Sequence, residues 1–288
     1  MLCRTIGRLG VTLALCSGVL AAQQLPSEPS RQFGAGITGA FEGWFDNPDG
    51  SRSFLVGYFN RNSQQALDIP IGPDNRIEPG GPDLGQPTHF LPGRQHGMFV
   101  VAVPKDFTPD KRLTWTLSVN GQATSIPLRL NPDYVVSPFV DGAVKNTPPV
   151  LRFTQNGAPF QGPTSVLEKA TAVTAPSSMP LPLTVWVKDD AKFTTGTNAP
   201  LRAGRPPVTL TWSKYRGPGT VTFEKDKPEL EKLQDTDAPF SGKSVTTARF
   251  SEPGTYVLHV TANDYSGPGG GGFQCCWTTA LMKVTVTP

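Results

Sequence analysis

The sequence predicts an all-β protein: two tandem β-sandwich domains behind an N-terminal signal peptide. Three observations point there. The 288 residues include 30 prolines and 30 glycines, apolar residues alternate with a period of two and nowhere at length with that of a helix, and the chain opens like an export leader.

The leader comes first. MLCRTIGRLGVTLALCSGVLAAQQ places Arg4 and Arg8 ahead of an apolar stretch from Leu9 to Leu20, followed by Ala21 and Ala22. This basic, apolar, small-residue order is that of a secretory signal peptide spanning 1–22, with 23–33 as a linker. Ser17 and Gly18 interrupt the apolar stretch, which is shorter than the roughly 20 residues needed to cross a bilayer, so no membrane span is expected. Cys16 is not a lipidation site, because Leu15 stands where a lipoprotein signal needs a small residue.

Cleavage would remove Arg4, Arg8, Cys3 and Cys16, taking the net charge from +3 to +1 and four cysteines to two. A near-neutral chain of mixed charge has no basic stripe for nucleic acid and no polybasic patch for a membrane surface. The remaining chain, about 265 residues, suits two domains with a core each. Export implies a periplasmic or extracellular location and an oxidising compartment for the remaining thiols.

The first domain is expected over 34–137. FEGWFDNPDGSRSFLVGYFNRN (41–62) reads as a hairpin about Asn47-Pro48-Asp49-Gly50, with proline and glycine supplying the turn. Phe54, Val56 and Tyr58 alternate with Leu55, Gly57 and Phe59, so this strand is expected to be covered on both faces. GMFVVAVP (97–104) adds a strand. RLTWTLSVNGQATSIPLRL (112–130) is a second hairpin about Asn120-Gly121, with Leu113, Trp115, Leu117 and Val119 facing the core.

Between them, residues 69–97 are rich in proline and glycine, which predicts a long loop without regular structure. Its polar assortment, chiefly Asp74, Arg76, His89, Arg94 and His96, suits binding of a polar ligand; the competing role is a coil that covers a sheet edge. His96 and Met98 form an H-x-M pair like that of exported cupredoxin-like copper carriers, but the further methionine and histidine ligands of that pattern are missing, so copper is not expected.

A linker over 138–145 leads to the second domain, 146–288, which opens at Asn146-Thr147-Pro148-Pro149-Val150. Its strands read LTVWVKDD (183–190), PVTLTWSKYRGPGTVTFE (207–224), TTARFSEPGTYVLHVTANDYSG (246–267) and LMKVTVTP (281–288). KPELEKLQD (227–235) reads as a helical turn or two with surface charges. Over 146–288, and most closely over 207–264, the chain resembles the bacterial PKD-like and related Ig-like repeats, a resemblance that leaves the first domain outside it; with the first domain's own set of strands, the expectation is two tandem Ig-like sandwiches. Trp212 is the expected core aromatic, and Tyr256, after Pro253-Gly254, stands where a tyrosine corner would bond backbone. His259 is expected on the wetter face of its strand.

The resemblance implies an adhesion, spacer or recognition module. It also implies strand-end aspartates that collect calcium in some relatives. Asp189, Asp190 and Asp264 are the candidates here, with turn capping as the competing role. After Asp264 the chain departs from the pattern with the insert YSGPGGGGFQCCWTTA. Cys275 and Cys276 have no other cysteine to pair with in the mature chain. A vicinal disulfide is the leading reading, beside two free thiols or bridges to another chain.

No Ser/His/Asp arrangement, C-x-x-C, H-E-x-x-H or phosphate-cradling glycine loop is present. The expectation is an exported non-catalytic binding or structural module, with no required cofactor and a protein or polysaccharide partner. The alternative is a periplasmic metal-binding or thiol-redox accessory protein using Cys275 and Cys276, with His89, His96 and Met98.

Overall fold

The computed structural model describes residues 30–142, 144–192, 206–234, 237–264 and 275–288. The expected signal peptide, most of the expected 23–33 linker and the glycine run of the insert lie outside the described residues. The fold is all-β with several sheets, and among the described residues no helix is long and apolar enough to cross a membrane.

In the first half, β1 (Ile37–Asp46) and β2 (Arg52–Asn60) form the expected hairpin. The Asn47 N–H reaches the Ser51 carbonyl at 2.8 Å, and Gly50 closes the turn at φ +81. There follow β3 (Leu67–Asp68), β4 (Asn75–Glu78), β5 (His89–Phe90), β6 (Gly93–Val103), β7 (Leu113–Val119) and β8 (Gln122–Leu128). They make one sheet in the order β1-β2-β6, a second in the order β4-β7-β8, and a small β3-β5 pair. Phe54, Val56 and Tyr58 of β2 share a core with Trp115 and Leu117 of β7, and Phe99 meets Trp115 edge to face at 5.2 Å.

The 69–97 stretch is not structureless, contrary to expectation. Asn75 and Ile77 are buried while Glu78 faces out, a short alternation that makes β4 the partner of β7. Flanking Pro73, Pro79, Gly80 and Gly81 hide that alternation within a proline- and glycine-rich run.

In the second half, β9 (Val150–Arg152), β10 (Phe160–Gln161), β12 (Leu181–Asp189), β14 (Val221–Phe223), β15 (Glu231–Lys232) and β16 (Phe240–Phe250) make one sheet. The facing sheet runs β11 (Thr171–Pro176), β18 (Trp277–Thr287), β17 (Gly254–Asn263) and β13 (Thr209–Arg216), with β11 parallel to β18. Trp212 sits in the core between them with Val185, Leu258 and Val260. The Tyr256 hydroxyl donates to the Glu252 carbonyl at 2.9 Å. The expected helical turn at 227–235 does not form over the described residues: Leu230 packs on the core, and Glu231 and Lys232 pair with Lys243 and Gly242. So short a helix gains too few backbone bonds to compete with that pairing.

Among the described residues, each strand ladder joins strands on the same side of 138–145. Apolar packing continues across. The first-half core cluster takes in Tyr215, Val257 and Leu281 from the outer face of the β11-β18-β17-β13 sheet. A smaller cluster joins Phe45, Leu55 and Val100 to Trp277. This contact corrects the expectation for His259, which lies on that outer face yet is only 2% exposed, because the first half covers it.

Candidate functional site

The polar side chains that the sequence offers for binding sort into separate groups. Asp74 is exposed and its carbonyl takes the Ser118 N–H. Arg76 pairs with Glu78 at 2.8 Å on the same short strand. These two lie at the outer edge of the second sheet. His89, Arg94 and His96 lie elsewhere, close to the contact between the halves.

That contact is built on a bulge. In β13 the register against β17 slips between Lys214 and Arg216, which makes Tyr215 the extra residue. The Tyr215 hydroxyl donates to the Gly85 carbonyl, and the Tyr215 carbonyl accepts the Thr88 N–H at 3.1 Å. Arg216 forks onto both oxygens of Asp83 at 2.8 and 2.9 Å and reaches the Gln86 carbonyl. Arg216 holds the Asp83 carboxyl below the usual range, against partial burial. Lys214 Nζ lies 3.0 Å from Asp68, whose same oxygen faces His89 Nδ1 at 2.9 Å. Partial burial pushes the Asp68 carboxyl up, but His89 and Lys214 outweigh it and the net shift is down. Burial also raises the Tyr58 and Tyr215 phenols far above their ordinary value.

A second bulge sets Arg94 and His96. Glu42 is the extra residue of β1 against β2. Its carboxylate takes Arg94 at 2.5 Å and the Gly97 N–H at 2.8 Å, with His96 Nδ1 at 3.5 Å. Gly97 has φ +52, and a Cβ there would stand 2.5 Å from the Trp277 ring. Asp83 belongs to the polar assortment of the 69–97 stretch, whereas Glu42, Asp68, Lys214, Tyr215, Arg216 and Trp277 were not singled out as site residues in the sequence. Their one signal is the K-Y-R run before Gly217-Pro218-Gly219, where two cations flank an aromatic at a strand end.

Asp189, Asp190 and Asp264 come to one end of the second half but act as separate caps. Asp189 accepts the Ala191 N–H at 2.8 Å, Asp190 accepts from the Thr147 N–H and hydroxyl, and Asp264 accepts from Asn146 Nδ2 at 2.6 Å. Burial, then Asp264 and Asp190, raise the Asp189 carboxyl to about 7, against the Ala191 bond. Among the described residues no group of three or more His, Cys, Asp or Glu is placed to hold a metal ion.

The sulfurs of Cys275 and Cys276 are bonded to each other across a cis peptide. The pair is 3% and 0% exposed, with the Cys276 sulfur 3.4 Å from the Asn146 carbonyl oxygen and the Cys276 carbonyl accepting the Asp264 N–H. It pins the start of β18 to the segment entering the second half and is no exposed tip. An open groove of about 330 Å³, lined by Pro206, Val208, Leu210, Lys227, Pro228 and Leu230, contains none of the candidate binding, metal or cysteine residues.

Fold and site together define an all-β protein in which Lys214, Tyr215 and Arg216 bond the second half to the first. No protein-family model matches the chain. No curated protein matches it either. Among solved structures the chain is similar to the crystal structure of the S-layer protein SbsC domains 4 and 5, at 8% identity and a TM-score of 0.23, over 88% of this chain and 98% of that one. A superposition of that quality does not establish a shared fold.

Proposed function

We propose that the protein is an exported, non-catalytic structural module: two tandem Ig-like sandwiches fixed against each other to form a stiff spacer in an envelope assembly, periplasmic or extracellular. The supporting observation is where the charges go. Arg216, Lys214 and Tyr215 each reach the 68–88 stretch, so groups that would otherwise greet a ligand brace one half on the other. Apolar contact through Trp277, Val257 and Leu281 accompanies them. Interfaces between domains of one chain are ordinarily modest and allow relative motion, and a shared apolar core opposes it. The leader, the near-neutral charge and the resemblance to PKD-like repeats support export and a non-catalytic role.

The test is fractionation of cells that express the full chain, followed by small-angle scattering of the exported form. A mature protein that starts near residue 23, and whose scattering fits a single conformer, is expected. A cytoplasmic, unprocessed chain, or a profile that requires freely moving halves, overturns the reading.

A further inference from the structure

All three histidines of the chain lie at or beside the contact between the halves. His89 faces Asp68 at 2.9 Å and His96 lies 3.5 Å from Glu42, so each has a carboxylate beside its ring. His259 differs. On β17 it stands opposite Ser213 of β13 and Leu281 of β18. Its ring stacks on Tyr215, with centroids 5.8 Å apart and planes at 16°, and its Nε2 is buried without a hydrogen-bond partner. Tyr215 is the residue that the first half grips, at its hydroxyl through Gly85 and at its carbonyl through Thr88.

We infer that His259 is an acid-sensitive latch: while neutral, its ring completes the packing that keeps Tyr215 docked, and once protonated it releases the two halves from each other.

The charged groups around it do not offset an imidazolium. On β13, Lys214 and Arg216 are already matched with Asp68 and Asp83 of the first half. Lys283 of β18 is exposed, and β17 carries no other ionisable side chain but Tyr256, which packs in the opposite core. The turn Leu167–Lys169, whose Leu167 packs on the same core, carries Glu168 and Lys169, both exposed. From the first half come Asp68, Asp83, His89 and the buried phenol of Tyr58, and none of these groups bonds to His259 Nε2. A proton there would create a buried charge without a counterion, which opening to water relieves. Burial alone lowers the His259 pKa to about 4 from its ordinary 6.5. The open state therefore binds the proton more readily. The closed state keeps its full stability above pH 6.5 and loses it as the pH falls through the window toward 4. Between pH 7.5 and 4 the opening constant should rise on the order of 100-fold. The latch depends on the contact alone, and stands or falls separately from export and from any spacer role.

Amide hydrogen exchange in the full-length mature protein tests it, because the Thr88 N–H bonds across the contact and reports openings too rare to populate visibly. After correction for intrinsic rates, the Thr88 opening constant should rise about 100-fold from pH 7.5 to 4 in the wild type. It should stay flat in His259→Phe, which keeps the stacked ring without the proton site. His259→Gln, neutral throughout, serves if the phenylalanine variant does not fold. The Val185 amide, inside the second core, should not change in step. A flat wild-type profile, an equal rise in the variant, or a parallel rise at Val185 that marks global unfolding overturns the latch.

Discussion

Gly97→Ala should destabilise the protein by about 2–5 kcal/mol, and the amount follows from two separate terms. The residue sits at φ +52, where a side chain brings backbone strain of about 1–2 kcal/mol. Its new Cβ would stand 2.5 Å from Cζ2 and 2.9 Å from Cε2 and Nε1 of Trp277. That ring cannot swing away, because it is 1% exposed and packed among Phe45, Leu55, Val100 and Val136. Overpacking of this kind adds about 1–3 kcal/mol. With a urea slope of about 3 kcal/mol/M for a chain of this size, the midpoint should fall by about 1 M. Gly121→Ala is the control: it has φ +75 and nothing within 4 Å of its Cβ, so it carries the backbone term alone. Trp277→Phe in the Gly97→Ala background should recover part of the loss, a non-additivity that a double-mutant cycle reads directly. If Gly97→Ala melts with Gly121→Ala, the close packing of Trp277 on β6 is refuted.

Asp189, with its carboxyl raised to about 7 from 3.8, binds its proton more tightly when folded, so its contribution is full below pH 3.8 and is lost as the pH rises through 7. Urea melts at pH 5 and 8 should show the wild type losing about 2–3 kcal/mol relative to Asp189→Asn over that span, opposite in sign to the effect of His259. Tyr256→Phe removes the bond to the Glu252 carbonyl and should cost about 1 kcal/mol by the same melts. Arg216→Ala removes the fork onto Asp83, a half-exposed pair contributing about 1 kcal/mol after screening; limited proteolysis within 138–149 should then quicken about fivefold.

The strands that proved legible in the sequence are those where one face is apolar and the ends carry turn chemistry. Leu113, Trp115 and Leu117 of β7, and Leu183, Val185 and Val187 of β12, alternate plainly and are buried as the alternation says. Strand β4 escaped because four residues are too few for a period to show and because its Ile77 is framed by prolines and glycines. The 227–235 segment was misread for the opposite reason: its charges favour a helix locally, but Leu230 has a core to reach and β16 has an open edge to pair with.

The candidate site was legible as residue types and illegible as an arrangement. His259 alternates with Leu258 and Val260, and alternation assigns it correctly to the face away from its own core. Whether that face is wet depends on what lies against it, and its cover comes from strands more than 150 residues earlier, a relation no local period encodes. The same holds for Asp83 and Arg216, 133 positions apart and meeting as a fork. A sequence window sees two solvated charges there. Two bulges, at Glu42 and Tyr215, turn these side chains inward, and a bulge leaves little trace in composition because it is one extra residue in an otherwise regular strand. The polar stretch over 69–97 was therefore informative in part: Asp83 and the Gly85, Gln86 and Thr88 backbone meet the second half of the same chain, while Arg76 and Glu78 pair with each other at the outer edge of the first.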